Sequence, residues 1–507
     1  MAVYDFIVVG GGSAGCVVAA RLTEDPDISV LLLEAGGSEQ RQDVEMAGAW
    51  PTLMGSDVDW GYATARQAVL GRPVDAPRGK VLGGSGSINV MAHLRGDRSD
   101  FDGWAADGAA GWDYESVLPY FKRCEDVVDG DPRYRGRGGP LRPRPIESPH
   151  PLSLAHVEAA RQAGHCTPAD LNGPYLLGAA CHDLLIESGR RQSSATAYLR
   201  PAMHRPNLTV RTHAIAHRLV VNAGRCCGVE YDWDGRSSVD SASGEVILCA
   251  GSVDSVRLLL QSGIGPAGDL AAHGVTPVVD APEVGNNLQD HILLAGVRMH
   301  ADRALPPPSG NYAEATLFTK TRPSQPQPEL QVLQVQIDYH TAWQQPADNS
   351  FTFGVGHMRP RSRGSVRMGP GGPGAPPVID PGYLTEPYDL EQLIAGIEAV
   401  DKLATTGAFD EWGGACDSAA FLQLDRPELE KAIYAGVSSY YHLSGTCRMG
   451  SDATAVVDPQ LRVQGIAGLR IADASVMPTI VSCNTNAATL MIGEKAADLV
   501  RGIATAA

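Results

Sequence analysis

The hydrophobic positions at the start of the chain come in short unbroken runs separated by small residues. Phe6-Ile7-Val8-Val9 is apolar without alternation and predicts a buried parallel strand. It empties into Gly10-Gly11-Gly12-Ser13-Ala14-Gly15, after which Cys16 to Leu22 set small and apolar residues at helical spacing. A second apolar run, Val30 to Leu33, closes on Glu34, 19 residues beyond Gly15. The whole is G-x-G-x-x-G in a strand-turn-helix-strand-acid setting, which predicts a dinucleotide site. Its glycines allow a tight turn and close backbone approach to a pyrophosphate, the helix N-terminus offers free N–H groups, and Glu34 can accept from a ribose hydroxyl. Gly10, Gly12, Ser13, Ala14, Gly15 and Glu34 are the candidate contacts, and by themselves they leave NAD and FAD equally open.

Beyond this unit the pattern breaks. Residues 36–78 carry Trp50, Trp60, several prolines and few periodic runs, as an excursion over a cofactor surface would. Arg78-Gly79-Lys80-Val81-Leu82-Gly83-Gly84-Ser85-Gly86-Ser87-Ile88-Asn89-Val90-Met91 then reads either as a loop that hugs a flat ligand or as a flexible turn cluster. A helix is expected around Glu115 to Cys124, and a solvated Pro- and Arg-rich loop from Arg133 to Pro151. Leu208 to Val210, Ala214 to Val221 and Gly228 to Glu230 predict strands that return to the nucleotide unit, followed by a strand over Glu245 to Gly251 and a helix that stops at Gly263. From about 295 to 435 the alternation of Gln331 to Ile337 and the run Phe351 to Met358 predict an antiparallel sheet, with a helix from Asp389 to Thr405 packed against it.

Composition narrows the partners. With 507 residues the chain exceeds one core and implies two or three domains. Its 58 acidic against 41 basic residues, net charge −17, disfavour nucleic acid and anionic membrane surfaces. No apolar run is long enough to span a bilayer, and a first strand beginning at Phe6 leaves no room for a signal peptide, so a cytoplasmic location is expected. The 10 cysteines are scattered without C-x-x-C spacing and are expected to be reduced and mostly buried, with no metal site.

The strand-Gly-loop-Glu34 unit followed by RGKVLGGSGSINVM resembles the glucose-methanol-choline family of FAD-dependent oxidoreductases, nearest its bacterial choline oxidase, alcohol dehydrogenase and hydroxymethylfurfural oxidase branch. The similarity continues through Arg95-Gly96, Asp102 and Trp104, departs at His93 (expected to be a surface or packing variant), and reappears at Glu245 to Pro266, where Val256 replaces the usual Pro or Ser. Val284 to His291 resembles the family's crossing toward its substrate domain. The resemblance implies FAD, with Arg78, Gly83, Gly84, Ser85, Asn89, Val90 and Met91 around it, Ala216 near the adenine, and Asp473 and Ala474 near the ribityl and pyrophosphate groups. Asn484 and Asn486 head an expected helix through Leu490 to Val500 whose N-terminal dipole would favour negative charge on the reduced flavin, and Thr485 and Asn486 are further candidate cofactor contacts.

Read alone, His442 amid Ser, Gly and Thr reads more readily as a satisfied structural histidine than as a catalytic one. The resemblance places His442 and Asn484 on the family's active-site pair. Alcohol oxidation needs a base near oxygen and a hydride acceptor near carbon; histidine suits the first role at neutral pH, and Asn484 can donate to a developing alkoxide. Three positions depart from choline oxidases. Ile88 stands where they attach flavin through His, which implies non-covalent FAD. Leu293 stands where they carry a Glu that holds trimethylammonium; burying that cation with neither a carboxylate nor an aromatic cage costs several kcal/mol and points away from choline. Tyr440 is bulkier than the small aliphatic residue common there, leaving oxidase and dehydrogenase both open. Leu293, Tyr440 and Tyr441 are the candidate substrate-pocket residues.

The expected architecture is α/β: a Rossmann-like FAD-binding domain from residues 1–150, 205–295 and 455–507, and a substrate domain from 151–204 and 296–454 whose large antiparallel sheet is flanked by helices. The expected activity is flavin-dependent oxidation of a primary or secondary alcohol, uncharged and partly apolar, with O2 or a quinone-type compound as acceptor. A non-redox lyase or decarboxylase on the same scaffold is the alternative, and a binding protein with a vestigial flavin a third reading.

Overall fold

The computed structural model describes residues 2–322 and 324–503; the final residues of the expected 455–507 segment and Met1 lie outside them. The opening unit forms as its pattern requires. β1 (Val3–Val9), α1 (Ser13–Leu22) and β2 (Val30–Leu33) make a parallel βαβ, with Phe6 opposite Val30 and Val9 opposite Leu33. Both strands are buried on both faces toward their C-terminal ends, which is why their sequences show no polar alternation.

Around β1 and β2 a seven-stranded mixed sheet is completed by Leu208–Arg211 beside β2, Arg236–Leu248 beside β1, then Arg225–Trp233 and Ile215–Asn222, with Leu469–Ile471 paired to the end of the 236–248 strand. The length of Arg236–Leu248 exceeds the expected strand. Its polar first half, RSSVDSASGE, forms an antiparallel hairpin with Arg225–Trp233 and is partly exposed, whereas its apolar end pairs in parallel with β1 inside the core. Helix Asn486–Arg501 packs across α1, closely enough that a Cβ on Gly493 would lie 3.0 Å from the Ala14 carbonyl.

The second sheet is antiparallel, in the order Ala415–Cys416, Ile292–His300, Ser350–His357, Leu330–Val335, Ala315–Thr319, Gly178–Cys181, with Val437–Ser439 also paired to Ile292–His300. Strand Ile292–His300 belongs wholly to this sheet, so the crossing between sheets falls at Asp290-His291. Strand alternation divides its two faces. Ile292, Leu294, Val332, Phe353 and Val355 pack under helices Pro151–Gln162 and Pro387–Ala404, while Leu293, Leu333 and Gly354 face the other way, into a cleft shared with the first sheet. All ten cysteines are free thiols, and among the described residues no helix is long and apolar enough to cross a membrane.

Candidate active site

The cleft between the two sheets has a nucleotide end and a reacting end. At the first, Gly10 takes φ +99°, and a Cβ there would lie 2.5 Å from the Cys249 carbonyl; one on Gly15 would lie 1.9 Å from the Gly10 carbonyl. The turn thus closes only with glycine at both positions. Helix α1 opens at Gly12 with no capping side chain, and helix Asn486–Arg501 opens at Thr485 likewise uncapped. Two sets of first-turn N–H groups therefore front one cleft, coupled by Ser13 Oγ donating to Asn486 Oδ1 at 2.8 Å. Helix N-termini without caps fit a group with a pyrophosphate and a second anionic centre. Glu34, at the end of β2, accepts from the Gly11 and Gly36 N–H groups, each at 2.8 Å, and burial pushes its carboxyl up to about 7.

Gly10, Gly12, Ser13, Ala14, Glu34, Arg78, Gly84, Ser85, Asn89, Val90, Ala216, Asp473, Ala474, Thr485 and Asn486 all line the cleft, as do Leu293, Tyr440, Tyr441, His442 and Asn484. Gly15, Gly83 and Met91 do not: Gly15 seats α1 on the turn, Gly83 (φ +86°) sits over Ser87, and Met91 is buried behind the wall with φ +64°. Several lining residues are committed to protein partners. Asp473 accepts from the Gly251 N–H and Ser255 Oγ, and the Asn89 amide oxygen accepts from the Met91 N–H and Arg191. Arg78 donates to the Tyr441 carbonyl, which ties the Gly-rich loop to the reacting end. His93 is buried, with Nε2 3.7 Å from Glu125 in a cluster with Arg95 and Arg135, so it is a packing residue and not a surface one.

At the reacting end His442 Nε2 lies 3.3 Å from Asn484 Nδ2, and His442 Nδ1 lies 2.9 Å from His291 Nδ1. With Asn484 donating to Nε2, His442 carries its proton on Nδ1 and gives it to His291 Nδ1, and the Nε2 lone pair is held by the Asn484 amide at the edge of the cleft until a substrate hydroxyl takes that place. Burial, helped by the nearby Arg78 guanidinium, lowers the His442 imidazole to about 3, and burial beside His442 holds His291 well below its usual range. Both rings are neutral at physiological pH. The Tyr440 ring stacks on His442 with centroids 4.9 Å apart, in space that exists because Gly356 lacks a Cβ; one there would lie 2.6 Å from the Tyr440 ring.

The turn that carries His442 hangs on Asp290. Its carboxylate accepts from the His442 N–H at 2.8 Å and from Ser439 Oγ and Tyr383 Oη at 2.5 Å each, while Tyr441 is held at φ +65° between them. Sequence reasoning did not reach Asp290, His291 or Tyr339 as site residues; the Asp-His step was visible, but its approach to His442 depends on the crossing between sheets. It also underrated the aromatic content of the pocket. Trp50, Tyr339, Tyr440 and Tyr441 line the cleft with Leu293, Leu333 and Val335, and the Trp50 and Tyr339 rings lie 6.0 Å apart. Aromatic rings are therefore available to a cation in this cleft, contrary to the expectation of no aromatic cage. The lining carboxylates are bonded elsewhere: Glu34 and Asp473 as above, Asp254 to Tyr62 Oη at 2.9 Å.

Comparison with known proteins agrees with this geometry. The GMC oxidoreductase N-terminal profile matches residues 4–293 and the C-terminal profile residues 360–493. The chain is 41% identical to an uncharacterised GMC-type oxidoreductase of Mycobacterium tuberculosis, over 98% of this chain and 99% of the relative. It is 39% identical to the mitochondrial choline dehydrogenase of Homo sapiens, over 98% and 90%. Among solved structures it is similar to pyridoxine 4-oxidase from Mesorbium loti, with TM-score 0.93, 34% identity and coverage of 97% and 98%, and to a formate oxidase, with TM-score 0.90, 26% identity and coverage of 99% and 98%. A dinucleotide cleft closed by an antiparallel sheet, together with matches across nearly the whole length, establishes that the chain belongs to the GMC oxidoreductase family, whose cofactor is FAD.

Proposed function

We propose that the chain oxidises a primary or secondary alcohol to its carbonyl, with His442 as the base. The observation that carries this reading is the neutral, buried imidazole whose Nε2 meets the Asn484 amide at the cleft. Bound FAD supplies the hydride acceptor at N5. His442 Nε2 takes the hydroxyl proton, and the Asn484 amide N–H steadies the oxygen as charge develops there. His291 holds the His442 tautomer, and the stacked Tyr440 ring helps keep water away. The uncapped N-terminus of helix Asn486–Arg501 favours negative charge gathered at the reduced cofactor. Ile88 lines the cleft and offers no nucleophile, which supports non-covalent FAD. The division into a cofactor unit, with its expected 205–295 segment cut back to 205–291 because Ile292–His300 pairs within the second sheet, and a substrate unit, a cytoplasmic location, and O2 or a quinone as acceptor belong to the same proposal.

The apolar wall of Leu293, Leu333 and Val335 supports an uncharged alcohol. A cationic alcohol is the second reading, favoured by the aromatic rings and by the choline dehydrogenases among the relatives. Anaerobic bleaching of the yellow holoenzyme by a panel of neutral alcohols and choline tests both. Bleaching by neutral alcohols supports the first reading and bleaching by choline alone the second. Turnover of a cyanohydrin or acid with no bleaching by any alcohol would reject alcohol oxidation. Peroxide formation in air then separates oxidase from dehydrogenase.

A further inference from the structure

Tyr339 and Tyr441 approach one another from opposite walls of the cleft, with their hydroxyl oxygens 2.7 Å apart. Tyr339 follows strand Leu330–Val335 of the antiparallel sheet. Its backbone N–H donates to Thr352 Oγ1 at 2.8 Å, and its carbonyl accepts from the Gly296 N–H at 2.9 Å. Tyr441 belongs to the His442 turn. Its N–H donates to Ser439 Oγ at 2.7 Å, and its carbonyl accepts from Arg78. Both phenols are therefore fixed by their backbones, and neither hydroxyl is free to search for a distant partner.

Two phenols bring two hydroxyl protons, and one hydrogen bond uses one of them. Beyond one another, the one further side-chain partner near the pair among the described residues is the Ser438 hydroxyl, on the Tyr441 side, and it leaves the Tyr339 hydroxyl with Tyr441 alone. A half-buried donor left unmatched once a ligand fills the cleft is costly, so a ligand that supplies an acceptor is favoured over an equal-sized one that does not. The surrounding wall is aromatic and aliphatic, and the carboxylates lining the cleft are bonded elsewhere, so the acceptor is best carried on a neutral body.

We propose that the Tyr339–Tyr441 hydroxyl pair reads the substrate: the chain prefers neutral alcohols whose body carries a hydrogen-bond acceptor, such as a ring nitrogen or ether oxygen, over isosteres that lack one. This rests on the alcohol-oxidation reading and adds a recognition element to it. Tyr339 acts here as a specificity residue and takes no part in proton or hydride transfer.

The test compares benzyl alcohol with the three pyridylmethanol isomers, which match it in size and differ by one ring atom, using anaerobic flavin reduction of the full-length holoenzyme. At least one isomer is expected to be favoured about tenfold or more in kcat/KM, and Tyr339→Phe is expected to bring that ratio toward one. Because the readout is a ratio within one variant, a general loss of activity does not mimic it; Tyr441→Phe, on the opposite wall, serves if Tyr339→Phe does not fold. A wild-type ratio near one, or a preference that survives both substitutions, overturns the proposal and assigns the second proton to Ser438, whose hydroxyl lies near Tyr441. Bleaching by none of these or any other alcohol would instead bring down the alcohol-oxidation reading, and this inference with it.

Discussion

The two ends of the cleft are built in opposite ways. The nucleotide end is built on a local unit: β1, the glycine turn, α1 and β2 are contiguous from Val3 to Leu33, Glu34 bonds back to Gly11 within it, and helix Asn486–Arg501 joins it through Ser13. The reacting end is assembled from distant segments, namely Asp290-His291 at the crossing, Tyr339 on the sheet wall, the turn at Ser439 to His442, and Asn484. Local construction makes the first end intolerant of small backbone changes. Distributed construction makes the second depend on how the two sheets meet and not on any one contiguous segment.

The sharpest way to break this comparison is at the nucleotide turn. Gly15→Ala places a methyl 1.9 Å from the Gly10 carbonyl, a backbone atom that cannot step aside. The purified variant is expected to lose its FAD absorbance entirely; a yellow protein with wild-type flavin content would show that the turn is less rigid than its contacts imply. At the distributed end, His291→Ala removes the partner that orders the His442 proton. Flavin reduction is expected to slow by about 10-fold to 100-fold with flavin retained, in the range seen when a group that orients a functional histidine is lost. A rate within twofold of wild type would remove His291 from the account.

A smaller effect is read from pH. Because burial lowers His442 to about 3, protonation of the base should cost activity only on acidification well below the ordinary histidine range. The same shift bears on stability: the unfolded chain binds the proton near 6.5 and the folded chain only near 3, so its contribution is full above about 6.5 and is lost as pH falls toward 3. The reduction rate is therefore expected to stay level from neutral pH down through 6.5, and an acid limb centred at or above 6.5 would contradict the buried, neutral imidazole. The smallest effect belongs to Tyr440→Phe. The Tyr440 hydroxyl is buried without a hydrogen-bond partner, so its removal should leave the melting temperature unchanged or slightly raised; a marked fall would reveal a partner.

The same contrast explains what the sequence disclosed. The βαβ unit, the helix near Glu115 to Cys124, the antiparallel strands and the helix near Asp389 follow from periodicities that each fit within one segment, and the structure places them at Tyr114–Cys124, Leu330–Val335, Ser350–His357 and Pro387–Ala404. The polar half of Arg236–Leu248 was not legible, because its strand is dictated by a hairpin partner and not by burial. At the reacting end, residue type alone favoured a structural role for His442, and the family resemblance singled it out with Asn484. Neither periodicity nor motif disclosed that Asp290 holds the His442 N–H, that His291 meets its ring, or that Tyr339 reaches Tyr441, since each pairing spans more than 100 residues.

The central claim is that the neutral His442 imidazole takes the hydroxyl proton while the rest of the cleft holds the cofactor. It is tested most directly by anaerobic single-turnover flavin reduction in His442→Ala, with the wild-type holoenzyme at equal flavin content alongside. The account predicts a protein that remains yellow and whose flavin is reduced about 10²-fold to 10⁴-fold more slowly. Reduction at the wild-type rate, or loss of the flavin together with the imidazole, would contradict it.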